Sequence, residues 1–500
     1  MDAIITDPRP LPDSALLKAV QLTERLFSEA DKIPALCYGY NLAWSLYDRV
    51  HLEVSIPRQL IKVGDQDPVY KSAAPYSPMS WLREAGTQLL PFLFSLASLI
   101  RFRISSKPSV AIWTGDFFDP RTGSDFRLGD LYTHLRSLEV PFIEFIRANH
   151  RGGLIQAFQN AWKRKRWAVY YDACAFFLAS NRDVPRLNLS NLSDVDARAV
   201  FARYESDLAT IRSAAGIFRA WFRMLNVHAL IAWEFSSRQA ALIVASKSLG
   251  LPVIGFMHGA GMRTYMMHEF VPARAGNIGP DLFGVWSDWW KEYYAAHAGI
   301  YGRVEVSGPM RRPPIQLGKK KPRSGTKPLA LWISEPLLAP TEAVTWLRHI
   351  RKDYRLVIKK RPYTSDDFYN GLIVQFPEFK EVETRDGDIF RAFLEADVVI
   401  GSHSTGVIDA SLMDVPFLLV ATLKWGDYFE LSGYDAPFRI YTQDIHDFDI
   451  SLNWLQQNDP TSTLESIRKR FYGNGVSDGS RWVAEAAFAV VSGRLVGTSS

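Results

Sequence analysis

The segment "DVVIGSHSTGVIDASLMDVPFLLV", residues 397–420, contains two apolar runs separated by a polar loop. Val398–Ile400 and Phe417–Val420 have the aliphatic, β-branched composition of buried strands. Between them lies "GSHSTG", residues 401–406, in which five of the six residues are small or hydroxylic. Such residues favour a strand end that another group approaches closely, because glycine has no Cβ to clash. The pattern predicts strand, loop, a helix beginning near Gly406, and a second strand.

The rest of the chain repeats this alternation of short apolar strands with longer helical stretches, which is typical of α/β proteins. The predicted strands are Val110–Trp113, Phe142–Ile146, Ala229–Trp233, Val253–Met257 and Leu282–Val285, then Leu329–Ile333, Leu356–Ile358, Val398–Ile400 and Phe417–Val420. Residues 311–328, between the two sets, contain seven Lys or Arg, four Pro and two Gly, a composition typical of a linker. We therefore predict two Rossmann-like, doubly wound domains with a ligand crevice at the carboxyl ends of their strands.

Length and composition agree with two globular domains. The 500 residues exceed what one core usually supports, and 47% apolar with 22% charged residues is typical of a globular protein. The predicted organisation is a helical extension at 1–105, a first Rossmann-like domain at 106–312, a linker at 313–328, a second Rossmann-like domain at 329–475, and a helix and tail at 476–500.

Charge, cysteines and the N-terminal sequence argue against several classes. The net charge of +5 is small and no long block of like charge indicates a nucleic-acid partner. Cys37 and Cys174 are far apart with no CxxC spacing, so neither a disulfide framework nor a thiolate metal site is expected. The first residues lack the basic and apolar regions of a secretory signal. We expect a cytoplasmic protein.

One apolar run, Leu89–Ile100, is followed by the cations Arg101, Arg103 and Lys107. The run is too short to span a bilayer. It fits either a buried helix with cations at its C-terminal end or an amphipathic segment that lies on the cytoplasmic face of a membrane.

The loop after Ile400 has the composition of a phosphate site. Gly401 permits a tight turn, and Ser402, Ser404 and Thr405 add hydroxyl donors to the amide groups at the start of the next helix. Asp409 falls on the first turn of that helix. It either simply interacts with the helix dipole or accepts hydrogen bonds from a ribose.

These residues resemble a known family. "SHSTGVIDASLMDVP" is similar to the Ser-Ser/Thr-x-x-x-(Glu/Asp)-Ala…Gly-x-Pro region of bacterial GT-B glycosyltransferases that build surface polysaccharides, a group with capsule-synthesis proteins, Kdo and sialyl transferases and CDP-glycerol glycerophosphotransferases. Asp409 stands where Glu is commoner, and Asp414-Val415-Pro416 where Gly-Lys-Pro is usual. The resemblance implies that the loop from Gly401 to Gly406, including His403, holds the donor nucleotide phosphate.

A second stretch, "IAWEFSSRQAALIVASKSLGLPVIGFMHGAG" at 231–261, is similar to the strand-Glu…helix…Gly-x-Gln-His-Gly unit of the same family, with Met257 in place of Gln. The resemblance places Glu234 and His258 at neighbouring strand ends facing the cleft. Either could take the proton of an acceptor hydroxyl, or the two could form an orienting or purely structural pair.

A third stretch, "LVIKKRP" at 356–362, corresponds to a family strand that ends in Lys-x-His-Pro, with Arg361 in place of His. Arginine can neutralise a phosphate but cannot transfer protons. Lys359 and Arg361 are therefore expected to bind the donor phosphate, unless they form only a solvated strand end.

The resemblance implies a GT-B fold and a metal-independent glycosyltransferase. Such an enzyme would move a sugar from a nucleotide-activated donor to a hydroxyl of a growing, lipid-linked or free, surface glycan, with no cofactor and with cytidine slightly favoured as the base. Asp116, in the loop after the first strand, is a reserve candidate for the base. A nucleotide-sugar 2-epimerase and a non-catalytic glycan-assembly protein of the same fold remain alternatives.

Overall fold

The computed structural model describes residues 15–33, 35–56, 58, 78–105, 107–115, 118–119, 124–147, 167–179, 187–233, 235–236, 239–259, 275–297, 300–313, 327–335, 338–360, 367–422, 426–473 and 477–494. Within these ranges, two parallel sheets of seven and six strands carry packed helices. The predicted α/β class with two Rossmann-like domains is confirmed.

The strands in chain order are β1 (Leu36–Cys37), β2 (Tyr40–Asn41), β3 (Ser109–Gly115), β4 (Phe118–Asp119), β5 (Ser124–Asp125), β6 (Phe142–Arg147), β7 (Ala168–Tyr170), β8 (Val227–Ile231), β9 (Val253–Phe256), β10 (Leu282–Val285), β11 (Arg303–Val306), β12 (Leu329–Ile333), β13 (Arg355–Lys359), β14 (Glu383–Arg385), β15 (Val398–Gly401), β16 (Phe417–Val420) and β17 (Tyr441–Thr442). All nine strands predicted from the sequence are among them.

The α-helices are α1 (Ala15–Phe27), α2 (Tyr47–Val50), α3 (Pro78–Ser105), α4 (Leu131–Ser137), α5 (Tyr171–Leu178), α6 (Val195–Arg203), α7 (Glu205–Met224), α8 (Ala240–Lys247), α9 (Asp288–His297), α10 (Pro340–Asp353), α11 (Asp367–Gln375), α12 (Ile389–Phe393), α13 (Thr405–Ile408), α14 (Ile445–Gln457), α15 (Thr461–Tyr472) and α16 (Gly479–Val491). Short 3-10 helices join several of them.

The first sheet has the order β11-β10-β9-β8-β3-β6-β7, and all its pairs are parallel. Every residue of β3, which lies inside the sheet between β8 and β6, is buried, which explains the uninterrupted apolar run at 110–113 in the sequence. The chain leaves β3 toward β6 and β7, then returns to β8 on the other side. The order therefore reverses between β3 and β8, where α/β proteins usually place a ligand.

The second sheet has the order β14-β13-β12-β15-β16-β17, again with parallel pairs. Here the chain runs outward from β12 through β13 to β14 before returning to β15. The reversal lies between β12 and β15, so the loop after β15 opens at the switch point of this sheet.

The last two helices return to the first sheet. In α15, the ring of Tyr472 stacks on Trp286 with centroids 5.2 Å apart, and Ser287 Oγ donates a hydrogen bond to the carbonyl of Arg470. The predicted final helix is confirmed as α16, which packs against β8, β9 and β10. Gly479 N–H donates to the carbonyl of Pro309, so the two connections between the sheets pass side by side. The domain boundaries proposed from the sequence stay predictions.

Candidate active site

Glu335 is the group that approaches the loop after β15. It follows β12 by two residues and is fully buried, and its Oε1 accepts hydrogen bonds from the backbone N–H groups of Ser402 (2.8 Å), His403 (2.8 Å) and Ser404 (2.7 Å). Its Oε2 accepts from Ser402 Oγ and lies 3.3 Å from His403 Nδ1. Part of the donor set that composition assigned to a phosphate, namely the N–H groups of residues 402–404 and the hydroxyl of Ser402, is therefore bound to a carboxylate of the same chain.

The electrostatics of this cluster favour a charged Glu335. Burial alone would raise the pKa of Glu335, but the neighbouring His403 and the hydrogen bonds from His403, Ser402 and Ser404 outweigh burial, so its pKa lies below the ordinary value. Ser402 Oγ also lies 2.9 Å from His403 Nδ1, and the ring of Tyr428 meets the imidazole edge-on at 5.8 Å. The carboxylate thus holds the imidazole in one orientation.

The glycines of the loop are explained by these contacts. A Cβ at Gly401 would lie 2.5 Å from Val407 Cγ2 and 3.0 Å from Glu335 Oε1, and a Cβ at Gly406 would lie 2.7 Å from Ile389 Cδ1. The sequence prediction of a close approach was right, but the approaching group at Gly401 is protein. Substitution of either glycine would push these side chains out of place.

The helix after the loop is shorter than a phosphate-binding helix of a doubly wound domain. Ser404 caps α13 by accepting the N–H of Gly406 at 3.2 Å, and the α-helical turn gives way to a 3-10 helix at Asp409–Met413. A single turn aligns few peptide dipoles, so its N-terminal partial charge is smaller than that of a long helix. The half-buried Ser404 and Thr405 lie at the rim of the loop.

Asp409 is bonded to protein through both carboxylate oxygens. Oδ2 accepts from Arg311 Nη2 at 2.8 Å, and Oδ1 accepts from the hydroxyl of Tyr472 at 2.7 Å. Burial raises the pKa of Asp409, although Arg311 and Tyr472 both lower it. Because Arg311 belongs to the first connection between the sheets and Tyr472 to the second, Asp409 ties both connections to the second sheet. Its proposed contact with a ribose stays a prediction.

Lys359 is the one cation of the third motif whose side chain the structure describes as buried. Its ammonium group donates to the carbonyl of Lys360 at 2.7 Å, at the carboxyl end of β13. Lys360 is half-buried, and its Nζ lies 4.8 Å from the centre of the Tyr369 ring. Arg361, the predicted phosphate ligand, lies outside the described residues.

In the first sheet, His258 follows β9 and is half-buried. Its ring lies 5.9 Å from the ring of Trp233, which follows β8. The guanidinium carbon of Arg127 lies 5.1 Å from the centre of the Trp233 ring. Arg127 also forms an ion pair with the buried Asp125. Glu234, the residue after Trp233, lies outside the described residues. The ends of β8 and β9 are adjacent, as the second motif predicts.

The loop after β3 includes Asp116, which also lies outside the described residues. The loop closes back on the strand through Asp125, whose Oδ2 accepts the N–H of Gly115 at 2.8 Å. Asp125 also accepts hydrogen bonds from Arg127. The carboxylate of Asp125 is thus bonded within the fold. Asp116 remains the reserve candidate for the base.

The strand ends of the two sheets meet at one point. A Cβ placed on Gly259, one residue after His258, would lie 3.4 Å from Thr405 Oγ1 of the other sheet. The loop after β9, next to the switch point of the first sheet, is therefore in contact with the loop after β15, which opens at the switch point of the second. Among the described residues, no three His, Cys, Asp or Glu side chains form a group that could hold a metal ion.

Sequence reasoning missed Glu335 and Tyr472. Glu335 occurs in "WISEPLL" without a recognisable motif, although a charged residue directly after a predicted buried strand is a signal in itself. Tyr472 comes from a helix far along the chain, and nothing local marks its contact with Asp409.

Several solved structures are similar in overall shape. A UDP-GlcNAc 2-epimerase of Methanocaldococcus jannaschii in complex with UDP-GlcNAc and UDP has a TM-score of 0.47 at 9% identity over 76% of this chain and 99% of that one. The MnaA–UDP structure of S. aureus has a TM-score of 0.45 at 12% identity over 76% and 94%. The lipopolysaccharide outer core galactosyltransferase WaaB in its apo form has a TM-score of 0.43 at 12% identity over 77% and 99%.

No protein-family model matches the chain, and no curated protein sequence matches it. At these identities and TM-scores, the similar structures assign neither a family nor an activity. The function is therefore argued from the strand ends that meet at Gly259 and Thr405.

Proposed function

We propose that the chain is a metal-independent glycosyltransferase that moves a sugar from a nucleotide-activated donor to a hydroxyl of a growing surface glycan. The observation that supports the proposal is the approach of Gly259 to Thr405, which brings together strand ends of two parallel sheets. Ligands of doubly wound domains bind outside the carboxyl ends of the strands at such points. Two facing sites suit a reaction between two substrates, a donor and an acceptor.

The donor phosphate is proposed to bind at the rim of the loop after β15. Because Glu335 already accepts the N–H groups of residues 402–404, the contacts to phosphate would come from the hydroxyl groups of Ser404 and Thr405 and from Lys359 and Arg361. These fixed donors would stabilise the negative charge that develops on the departing nucleotide. Glu335 would keep the loop in shape without itself touching the donor.

The acceptor is proposed to bind on the side of the first sheet. An oxygen of the acceptor forms a bond to C1 of the sugar, the bond from C1 to the phosphate oxygen breaks with its electron pair leaving on the nucleotide, and the hydroxyl proton passes to a base. Glu234 and His258 are the proposed candidates, since Trp233 and His258 are in ring contact and Glu234 is next to Trp233 in the chain. Asp116 is held in reserve.

Incubation of the full-length protein with CMP-, CDP-, UDP- and GDP-linked sugars, with and without a lipid-linked glycan, tests the proposal. A glycosyltransferase releases nucleotide in proportion to acceptor and extends the glycan. Conversion of the donor sugar to its 2-epimer without acceptor would instead assign a nucleotide-sugar epimerase. The panel also identifies the base of the nucleotide.

One observation favours a second candidate, a non-catalytic glycan-assembly protein. The carboxylate of Glu335 accepts the backbone N–H groups with which a doubly wound domain would bind a phosphate. The negative charges of this carboxylate and of a phosphate at the same point would repel each other. Under this candidate the crevice binds glycan rather than nucleotide. Absence of nucleotide binding by calorimetry for every donor, together with binding of the glycan, would support it over the transferase.

A further inference from the structure

Helix α3 presents an apolar stripe to solvent. Its most exposed apolar side chains are between 43% and 79% accessible, and they are Leu82, Leu89, Leu90, Leu93, Ile100 and Ile104. At about 100° per residue, all of them except Leu90 fall within a wedge of roughly 60°, and the stripe extends for about 33 Å along the helix. An apolar stripe of this length is unusual on the surface of a soluble domain.

The opposite face of α3 is packed against the first sheet. Ser95 Oγ accepts the N–H of Tyr170 at 2.8 Å, and the ring of Phe92 meets that of Phe177 at 4.8 Å. By length and composition, Glu84–Ser105 could cross a membrane, and it is the one such helix found among the described residues. A helix that shares hydrogen bonds and ring contacts with β7 and α5 is fixed to the globular domain, so only its outer face is available to lipid.

Positive charge and an aromatic ring lie at one end of the stripe. Arg101 and Lys107 are exposed, and the guanidinium of Arg101 lies 5.4 Å from the centre of the Trp167 ring, which is 39% accessible. The sequence of α3 contains a single acidic residue, Glu84, near its other end. Apolar side chains flanked by cations and a half-exposed tryptophan are the composition of helices that lie in the interface of an anionic bilayer.

We propose that the outer face of α3 rests on an anionic lipid surface, with Leu93 and Ile100 in the acyl boundary and Arg101 and Lys107 at the headgroups. This proposal does not depend on the proposed function. Since Ser95 pairs with the carboxyl end of β7 while Arg101 lies over Trp167 before its start, α3 runs antiparallel to the strands. Its first half therefore extends past the carboxyl end of β7, on the same edge of the first sheet as the loop after β9.

The test is co-sedimentation of the full-length protein with vesicles of phosphatidylcholine alone and of phosphatidylcholine containing phosphatidylglycerol, at low and high salt. We expect binding to the anionic vesicles that weakens as the Debye length falls from about 10 Å at 0.1 M salt to about 3 Å at 1 M. The double variant Leu93→Glu with Ile100→Glu should bind at least about tenfold more weakly, and Lys107→Gln about fivefold more weakly.

The matched control is Val195→Glu with Val374→Glu, which adds the same charges at apolar residues that are 69% and 79% accessible on α6 and α11. This control should bind vesicles like the unaltered protein. Failure of the unaltered protein to bind anionic vesicles at low salt would overturn the proposal, as would equal losses in both double variants. A dimer in light scattering that dissociates only in the α3 variant, without vesicle binding, would assign the face to a second copy of the chain instead.

Discussion

Replacement of Glu335 by glutamine tests whether the loop after β15 is built around a carboxylate. A glutamine at this position would keep one acceptor for the three backbone N–H groups, but its amide nitrogen would face Ser402 Oγ, which now donates to Glu335. Hydrogen bonds to a charged group are worth about 1.5–3 kcal/mol and neutral ones about 0.5–1.5, so three bonds lose about 1 kcal/mol each. With the lost contact to Ser402, and with the lower cost of burying a neutral amide, the net destabilisation is about 2–4 kcal/mol.

Native-state hydrogen exchange measures this loss at the site itself. Peptides that contain residues 402–404 should exchange about 30-fold to 1,000-fold faster in Glu335→Gln, since 1.36 kcal/mol corresponds to a factor of ten. Glu378→Gln, at a surface ion pair with Arg348, is the control and should leave these peptides unchanged. Equal protection in Glu335→Gln and the unaltered protein would show that a neutral acceptor suffices and that the charge of Glu335 does not hold the loop.

The pH dependence of the unfolding free energy is a second test of the hydrogen bonds to the Glu335 carboxylate. Because the pKa of Glu335 is lowered in the folded protein, its contribution to stability is fully present above the ordinary pKa of a glutamate. That contribution is lost as the pH falls through the lowered value. The difference in unfolding free energy between the protein and Glu335→Gln should therefore be constant near neutral pH and shrink only in acid, which urea denaturation at a series of pH values will show. A difference that shrinks already near neutrality would contradict the lowered pKa.

Three further predictions concern the candidate site and the contacts of Asp409. Ser404→Ala with Thr405→Ala should weaken donor binding by about 1.5–3 kcal/mol for each lost bond to phosphate, and unchanged affinity by calorimetry would remove these hydroxyls from the donor site. Glu234→Gln should lower turnover by about 10²–10⁴-fold with donor affinity kept, and a larger loss in His258→Ala would transfer the role of base to the imidazole. Asp409→Asn should destabilise the protein by about 1–3 kcal/mol in urea without changing donor affinity, whereas a selective loss of affinity would assign Asp409 to the ribose.

In the two large sheets, the strands that sequence reasoning found and those that it missed differ in length and polarity. The nine predicted strands are central or long enough to form continuous apolar runs, as in β3. The missed strands β7, β14 and β17 have two or three residues, and β11 alternates Arg and Glu with half-buried valines at the sheet edge. β7 and β17 are buried but too short to form a recognisable apolar run, and the partly exposed β14 and β11 are too polar.

The sequence predicted which loops follow the strand ends but not the internal bonding of the loop after β15. The order of the motifs placed the loop after β15 and His258 at strand ends, and the structure brings the two ends together at Gly259 and Thr405. What occupies the loop amides depends on the pairing of β12 with β15, a contact between residues far apart in the chain. Local composition favours a buried anion at such a loop, but it does not distinguish a phosphate from the side chain of Glu335.

The return of α16 to the first sheet also determines when the surface of that sheet can be covered during synthesis. Residues 479–491 cover β8, β9 and β10, yet they are translated after the whole second sheet. Until they emerge, the apolar surface beneath them, which includes the side of Gly284 that meets Trp482, stays open to water. Contacts of such long sequence separation slow folding and prolong exposure of apolar surface. A fragment that stops at the linker would contain all seven strands of the first sheet but leave the surface under α16 uncovered, and we therefore expect it to aggregate.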